Sequence, residues 1–412
     1  FDPSAKTRIL HIDAMVQMSQ EYEDACVSQA LVAHTQKMLL ADAARSTQLE
    51  LSLRHVTNPY LVLEVGRQNL VDDVMAQVAG RTHGELKKPL KIKFRNEEGM
   101  DQGGVQKEFF QVLLSQLLDP VYGMFTYDDA TRYSWVNAAS LDSTRQFELV
   151  GTIFGLAVYN GVIVDVRFPK LLYKRLLGEQ PALVDVKETW PDLGRGLQQL
   201  LDWDEAEGDV EDVFCRSFEI SVEVFGQVRT VELVKGGSER PVTNLNRQEY
   251  VDLYVDYVTK KGIDRQFRAL RRGFLHVCGG YALSMCRPEE LELLMCGVEC
   301  DMDLHPLEKA CGYDDGYHPA HQTIRDFWAI VHALGIPQKK RLLEFVTASD
   351  RVPLKGLASL TFVIQRNGPD SDRLPTALTC FGRLLLPEYA GKDKLKFHLL
   401  TAIENAKGFG LV

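Results

Sequence analysis

The N-terminal stretch 4–50 constrains the fold most strongly, because neither glycine nor proline interrupts it. Its apolar positions recur at helical spacing and include Ile9, Ile12, Val16, Met38, Leu39 and Leu49. This pattern predicts one long helix, which Asn58-Pro59 ends. Such a helix either packs along the domain that follows or forms an exposed linker, and its apolar positions favour packing.

The next part of the chain mixes strand and helix patterns. Residues 91–94 alternate like a half-buried strand, and a polar, glycine-bearing turn over 96–104 follows them. Residues 105–118 have a helical pattern. Residues 151–159 are apolar nearly throughout, which predicts a buried helix.

Residues 191–285 have the pattern of a small α+β insert. It contains a helix, an alternating strand over 218–224, the Gly236-Gly237 break and a second helix. The apolar positions on the two helices are Leu193, Leu197, Leu200, Tyr250 and Tyr254. From the pattern alone they either pack in a core or form an exposed groove for a partner protein.

The C-terminal part begins after a short helix that Pro288 opens and that ends near Cys296. Gly297 is permissive and the residues that follow are polar, so we place a hinge at 298–302. The predicted elements beyond it are helices at 321–334, 337–346 and 393–407, and strands at 360–364 and 383–386.

Charge and hydropathy exclude several partners. A formal net charge of -10 gives no basic field that would hold nucleic acid. Largely apolar stretches such as 152–159 and 383–387 are far shorter than the roughly 20 residues of a membrane span, so no membrane insertion is expected. The sequence begins at Phe1 without a secretory-signal pattern, and we interpret it as a piece of a longer protein.

The eight cysteines show no regular spacing, which predicts reduced thiols and a cytoplasmic or nuclear location. A zinc site built from Cys278, Cys286, Cys296 and Cys300 is not expected, because their spacing is unsuitable and no histidine is close in sequence. Gly99 to Gly104 lack the Gly-Lys-Ser/Thr ending of a phosphate loop, and a tight turn explains them better. We therefore expect no metal and no cofactor.

Cys380 stands out because a loop rich in turn-forming residues, 366–379, delivers it to the edge of a strand. From this feature alone it is either a reactive nucleophile or a structural thiol. No histidine lies close in sequence, since the nearest one downstream is His398, and a thiol hydrolase is therefore disfavoured. Exchange of a thiol with a thioester needs less activation, because the leaving group is another thiolate, and positioning supplies most of the catalysis.

Several motifs, taken in order, carry a resemblance to a known family. The N-terminal motifs are EGMDQGGVQKEFF at 98–110, MFTY at 124–127, FGLAVYN at 154–160 and FRALRRGF at 267–274. The C-terminal motifs are NGPD at 367–370, RLPT at 373–376, TCF at 379–381, LPEY at 386–389 and GFGLV at 408–412. Their order and spacing resemble the HECT ubiquitin ligases from about residue 57 to the end, most closely the branch of the Angelman-syndrome ligase.

The resemblance implies a bilobal α+β fold preceded by a helical extension over 1–56. It implies an N-lobe over 57–297, in which the insert 191–285 docks a ubiquitin-conjugating enzyme. A mobile C-lobe over 303–412 then follows the hinge at 298–302, which begins directly after the permissive Gly297. The docking residues implied by position are Leu193, Leu197, Leu200, Tyr250 and Tyr254.

The implied reaction has two steps, in which ubiquitin passes from the conjugating enzyme to Cys380 and then to a substrate lysine. Thr379 and Phe381 are expected to position the ubiquitin that is transferred. Phe409, the fourth residue from the end, matches a family phenylalanine that holds the C-lobe for transfer; the alternative is a frayed end without a role.

Two departures from the family pattern flank the cysteine. Leu378 stands where many members have histidine, and Gly382 where they have asparagine. Loss of the histidine removes a hydrogen-bonding group beside the thiol. The alternative function is therefore a catalytically weak, ligase-like scaffold that still binds a conjugating enzyme.

Overall fold

The computed structural model describes residues 3–38, 58–97, 104–224, 227–297, 302–347, 352 and 356–405. In the helical segments of these ranges, no helix combines the length and the apolar character needed to cross a membrane.

Seventeen helices can be labelled in chain order within the described residues. They are α1 Pro3–Met38, α2 Leu70–Val78, α3 His83–Lys87, α4 Gly104–Leu117, α5 Thr144–Tyr159, α6 Lys170–Leu177, α7 Leu183–Thr189, α8 Pro191–Asp202, α9 Val210–Phe214, α10 Arg247–Thr259, α11 Asp264–Cys278, α12 Tyr281–Ser284, α13 Pro288–Cys296, α14 His305–Ala310, α15 Gln322–Ala333, α16 Ile336–Thr347 and α17 Lys392–Asn405.

The strands form four small sheets. The strands are β1 Leu61–Val65, β2 Leu90–Phe94, β3 Phe125–Tyr127, β4 Ser134–Val136, β5 Glu219–Val224, β6 Gln227–Glu232, β7 Gly312–Asp314, β8 Val363–Arg366, β9 Thr376–Leu378 and β10 Arg383–Leu386. β1 and β2 pair in parallel, whereas β3–β4 and β5–β6 are antiparallel ribbons. Helices and separate small sheets together confirm the predicted α+β class.

The chain divides into two compact units. The first contains Phe1–Leu114, Ala157–Asp165 and Leu293–Val412, and the second contains Ser115–Leu156 and Val166–Glu292. The second unit includes an aromatic cluster in which Phe154 lies 6.3 Å from Phe125 and 5.5 Å from Phe168 between ring centroids. This cluster surrounds the part of α5 that the sequence predicts as a buried helix.

The long N-terminal helix is present as α1, and the rest of the predicted span, 39–50, lies outside the described residues. Ala14 and Ala25 on α1 are buried. The Tyr159 hydroxyl donates a hydrogen bond to the Ala14 carbonyl (3.2 Å), and α1 packs against α3. These contacts agree with the packed arrangement rather than with an exposed linker.

The C-terminal part, from residue 302 onwards, has its own hydrophobic core, which extends from Met302 to Ile403. Its sheet has the strand order β7–β8–β10–β9. α16 packs against β9 and β10, and side chains of α15 and α17 belong to the same core. The predicted strand at 360–364 is displaced: β8 begins at Val363, because Leu357–Ser359 forms a 3-10 turn first. In that turn the Leu360 amide donates to the Leu357 carbonyl (3.1 Å).

Candidate active site

Cys380 lies at the tip of a tight antiparallel hairpin in the C-terminal sheet. β9 and β10 pair with Leu378 opposite Arg383, so residues 379–382 alone make the connection. Thr379–Phe381 form one 3-10 turn within it. The Cys380 side chain is outside the described set, but its backbone lies in the turn between two paired strands. The strand at 383–386 agrees with the prediction, whereas β9 lies within the predicted loop 366–379 and was not expected.

The hairpin is held by the centre of the sheet. β10 also pairs in parallel with β8, so Leu384 lies beside Ile364, and both side chains are fully buried. α16 packs against β9, β10 and the 379–381 turn. Burial of these apolar side chains fixes the strands, and the tip they present is positioned by a rigid element rather than by a free loop.

Gly382 ends the turn in a left-handed conformation, with φ +55°. Its amide donates to the Thr379 carbonyl (3.2 Å), and its carbonyl accepts from the Val363 amide (2.9 Å). A Cβ at this position would lie 2.0 Å from the Thr361 carbonyl oxygen. Glycine is therefore required by the backbone here, which gives a structural reason for the departure at this position.

Apolar side chains remain exposed around the turn. Leu374, Leu378 and Phe381 have exposed fractions of 39%, 45% and 47%, while Thr379 is partly buried. Leu378 and Phe381 lie within two residues of Cys380 and give this edge of the hairpin exposed apolar surface, which suits contact with another protein. The second departure, Leu378, thus lies on this exposed edge and is not part of the core.

The polar loop before the cysteine is tied to the helix that follows the sheet. Lys394 of α17 bridges Asp370 and Asp372, each at 3.0 Å. The Ala390 amide donates to the Asp370 carboxylate (3.0 Å), and this hydrogen bond together with Lys394 lowers the pKa of Asp370. The Tyr389 hydroxyl donates to the Arg373 carbonyl. The middle of the loop is consequently anchored to the segment that follows the sheet.

His398, the nearest downstream histidine, has a structural position. Its ring stacks on Tyr389, with 4.8 Å between centroids, and its Nδ1 donates to the Lys394 carbonyl (2.9 Å). The side chain is buried. His398 thus helps to pack α17 against Tyr389, which follows β10.

The five residues implied in docking lie in one subdomain with its own core. The core includes Val186, Phe218, Val242 and Val251 together with Leu197, Leu200 and Tyr250. Leu193 and Tyr254 are only partly buried and pack against this core. The subdomain core thus begins before residue 191, the predicted start of the insert. It ends near residue 258, well before the predicted end at 285.

Tyr250 is the clearest case of core packing among these residues. Its exposed fraction is 4%, and its ring lies 5.5 Å from Phe218 and 5.8 Å from Tyr254. Burial raises the pKa of the Tyr250 hydroxyl to about 12. Of the five side chains, Leu193 and Tyr254 are therefore the ones that retain surface for a partner.

Gly297 ends α13 with φ +70°, and its amide donates to the Leu293 carbonyl (2.9 Å). A Cβ there would lie 2.7 Å from the Val352 carbonyl oxygen, so this close approach also requires glycine. The rest of the predicted hinge up to residue 301 lies outside the described residues, as does Phe409.

One cluster of potential ligands was not expected from the sequence. Among the described residues, His305, Glu308 and His332 bring their potential metal-binding atoms within 4.8 Å of one another. The only sequence signal is the His-x-x-Glu spacing in α14, because His332 belongs to a different helix. The cysteines weighed for zinc are placed differently: Cys286 and Cys296 are buried, and the Cys278 thiol donates to the Gly155 carbonyl (3.1 Å).

The hairpin with its cysteine, on a four-stranded sheet after a helical region, agrees with a known family. The family described as HECT-domain (ubiquitin-transferase) matches residues 111–412. This chain belongs to the HECT-domain family.

Individual relatives extend the similarity further towards the N-terminus. The human protein named probable E3 ubiquitin-protein ligase HERC4 is 41% identical over 412 residues, which cover all of this chain and 37% of that protein. Mouse HECTD2, with the corresponding ligase name, is 41% identical over 85% of this chain and 46% of its own length. HUL4 of Eremothecium gossypii is 33% identical over 91% of this chain and 46% of its own length. The chain thus spans less than half of the curated relatives it matches.

Proposed function

We propose that this chain accepts ubiquitin from a conjugating enzyme as a thioester on Cys380 and transfers it to a substrate lysine. The observation that carries the proposal is the position of Cys380 at the tip of the 379–382 turn in a HECT-domain chain. The names of the relatives as E3 ubiquitin-protein ligases support the same activity and do not favour a scaffold without transfer.

Each step exchanges one acyl bond for another. The Cys380 thiolate attacks the carbonyl carbon of the thioester on the conjugating enzyme, and that enzyme's cysteine leaves as a thiolate. A neutral lysine amine of the substrate then attacks the new thioester, Cys380 leaves, and the amine loses its proton as the amide forms. Neither step requires a cofactor or a metal ion.

The exposed edge formed by Leu378 and Phe381 is suited to hold ubiquitin during these steps. Its position next to the nucleophile supports a positioning role for Thr379 and Phe381. Phe409 is proposed to hold the C-lobe against ubiquitin in the second step. We expect Phe409→Ala to leave the thioester intact while transfer to lysine slows.

We infer that the conjugating enzyme docks on the subdomain of residues 186–258, with the C-lobe, 303–412, moving about the hinge at 298–302. The partial exposure of Leu193 and Tyr254 supports direct contact by these two side chains. The docking surface would then be supported by the buried side chains of Leu197, Leu200 and Tyr250. A cytoplasmic or nuclear location and the branch of the Angelman-syndrome ligase remain predictions; the relatives compared above carry other names.

The test is thioester formation with ubiquitin, activating enzyme and a panel of conjugating enzymes, followed on non-reducing gels. We expect a ubiquitin adduct that reductant removes and that Cys380→Ala abolishes. Cys311→Ala is the matched control in the same domain, because burial raises the pKa of the Cys311 thiol to about 12 and keeps it protonated.

An adduct that persists in Cys380→Ala but disappears in Cys311→Ala would overturn the assignment of the nucleophile. If charged conjugating enzymes bind the chain and no adduct forms with any of them, the scaffold becomes the better description.

A further inference from the structure

The start of the C-terminal part carries a cluster of two histidines and two carboxylates that the transfer reaction does not use. His305 and Glu308 lie three residues apart on α14, and therefore on the same face of one helical turn. His332, in the last turn of α15, completes a group whose potential ligand atoms all lie within 4.8 Å of one another.

The polar contacts inside the cluster already pair each imidazole with a carboxylate. The His332 Nε2 lies 2.7 Å from the Glu308 carboxylate, and the His305 Nδ1 lies 2.5 Å from the Asp303 carboxylate. The two imidazole rings stack at 3.9 Å with 10° between their planes. Contact of His305 Nδ1 with Asp303 leaves Nε2 of the same ring for another partner.

Both helices that carry the cluster are fixed by the core. Leu304 and Leu307, on either side of His305, are fully buried. The Trp328 ring lies 5.8 Å from His332 at an angle of 27°, and its indole N–H donates to the Tyr313 hydroxyl (3.0 Å). The helix backbones that carry the ligands are thus held in place without an ion, so only side chains have to move to bind one.

We propose that His305, Glu308 and His332 bind one divalent transition-metal ion, Zn²⁺ being the best match, and that Asp303 orients His305 towards it. Two imidazole nitrogens and one carboxylate oxygen are ligands that zinc accepts, with water completing the coordination. Mg²⁺ and Ca²⁺ prefer oxygen ligands throughout, so they are not expected to bind here. A carboxylate hydrogen-bonded to the second nitrogen of a ligating histidine is the usual support for such a ligand.

Binding requires the ligand atoms to converge, because zinc bonds to nitrogen and oxygen are about 2.0–2.2 Å long. His305 is the residue that turns, since 63% of its side chain is exposed, compared with 21% for His332. The ion would replace the stacking of the rings. It would also tie the segment directly after the predicted hinge, 298–302, to α15, independently of the transfer reaction.

The experiment is a calorimetric titration of the chelator-treated chain with ZnCl₂, and in parallel with MgCl₂. We expect about one equivalent of Zn²⁺ to bind and Mg²⁺ not to bind. The double variant His305→Ala/His332→Ala is expected to lose this binding, and Asp303→Asn to weaken it by about 10- to 100-fold. His318→Ala, an exposed histidine of the same domain, is the matched control and should bind as the wild type does.

Cobalt distinguishes this site from cysteine thiolates. With Co²⁺ in place of Zn²⁺, the proposed site gives d–d bands without a thiolate-to-cobalt charge-transfer band. The proposal is overturned if wild-type protein binds no Zn²⁺, if the double variant binds it equally well, or if the lost binding carries the thiolate band. Circular dichroism of each variant establishes that the fold is retained.

Discussion

The Cys380 hairpin and the subdomain of residues 186–258 carry the two sets of residues implied in function, and they use apolar side chains differently. In the hairpin, the buried residues of β8 and β10 lie behind a turn on which Leu378 and Phe381 stay exposed. In the subdomain, Leu200 and Tyr250 are part of the core itself, with exposed fractions of 3% and 4%.

The hairpin thus carries its exposed apolar side chains outside the core, whereas the docking surface of the subdomain is built on residues of the core itself. A turn held by a sheet can change its exposed side chains with little effect on the core. A surface whose underlying residues form the core loses shape and stability together when those residues are truncated. Substitutions in the two regions should therefore divide differently between stability and activity.

The largest effect is expected for Leu200→Ala, because it leaves a cavity in the subdomain core. We expect a loss of about 2–5 kcal/mol in the free energy of unfolding. Urea unfolding measured by tryptophan fluorescence detects this loss, since Trp190 and Trp203 pack against the same core.

Leu193→Ala is the matched substitution, on the same helix but only partly buried. Leu193→Ala should lower the free energy of unfolding less than Leu200→Ala does. It should weaken binding of the conjugating enzyme when the affinity is measured under conditions in which both variants are fully folded. If Leu200→Ala instead leaves the unfolding curve unchanged and abolishes docking, the expected difference between the two regions is contradicted.

A smaller effect is expected for Gly382→Ala in the hairpin. The new Cβ meets the Thr361 carbonyl oxygen and must displace the turn, at a cost of about 1–3 kcal/mol. If displacement of the turn raises the activation free energy of thioester formation by a similar amount, the reaction slows by about tenfold or more. The rate of adduct formation under single-turnover conditions measures the change.

Gly368→Ala is the control, because it introduces backbone strain at a positive φ without a close contact of the new Cβ. Gly368 also has a positive φ, of 85°, but no neighbouring atom within 4 Å of its Cβ position. We expect it to affect the thioester rate much less than Gly382→Ala does. Equal effects of the two substitutions would show that the Thr361 contact does not position the cysteine.

How far the sequence predicts these regions depends on what each pattern specifies. Turn-forming residues before Cys380 predict a loop that ends at a strand, and the backbone agrees up to residue 375, whereas β9 at Thr376–Leu378 was not predicted. An apolar stripe on a helix has the same spacing whether it meets its own domain or a partner, so burial of Leu197 and Tyr250 could not be predicted from spacing. The start of a strand is similarly underdetermined, and β8 begins at Val363, three residues after the predicted start at residue 360.

The cluster around His332 illustrates a third case. Its members come from two helices, and the sequence between them gives no sign that the helix ends meet. The expectation of no metal considered only cysteines, because their spacing can be compared with known zinc motifs. Side chains that converge through tertiary packing have no such pattern.

The smallest effect is expected for Leu378→His, which changes an exposed side chain at the end of β9 without altering the core. An imidazolium two residues before Cys380 stabilises the thiolate, and a stabilisation of about 1.4 kcal/mol raises the thiolate fraction about tenfold. We therefore expect thioester formation below about pH 7, where enough of the imidazole is protonated, to be about threefold to tenfold faster than in wild type. The unfolding free energy should change by less than about 0.5 kcal/mol.

The dependence of this acceleration on pH tests its cause. Imidazole is protonated below about pH 6.5, so the rate of Leu378→His relative to Leu378→Gln should rise as the pH falls through that value. Leu378→Gln is the matched control, since it is polar and hydrogen-bonding but carries no charge. A rate ratio that stays constant from about pH 5.5 to 8 would mean that position 378 acts through shape or hydrogen bonding. In that event the exposed edge of the hairpin, and not charge beside the thiol, is the property that this residue controls.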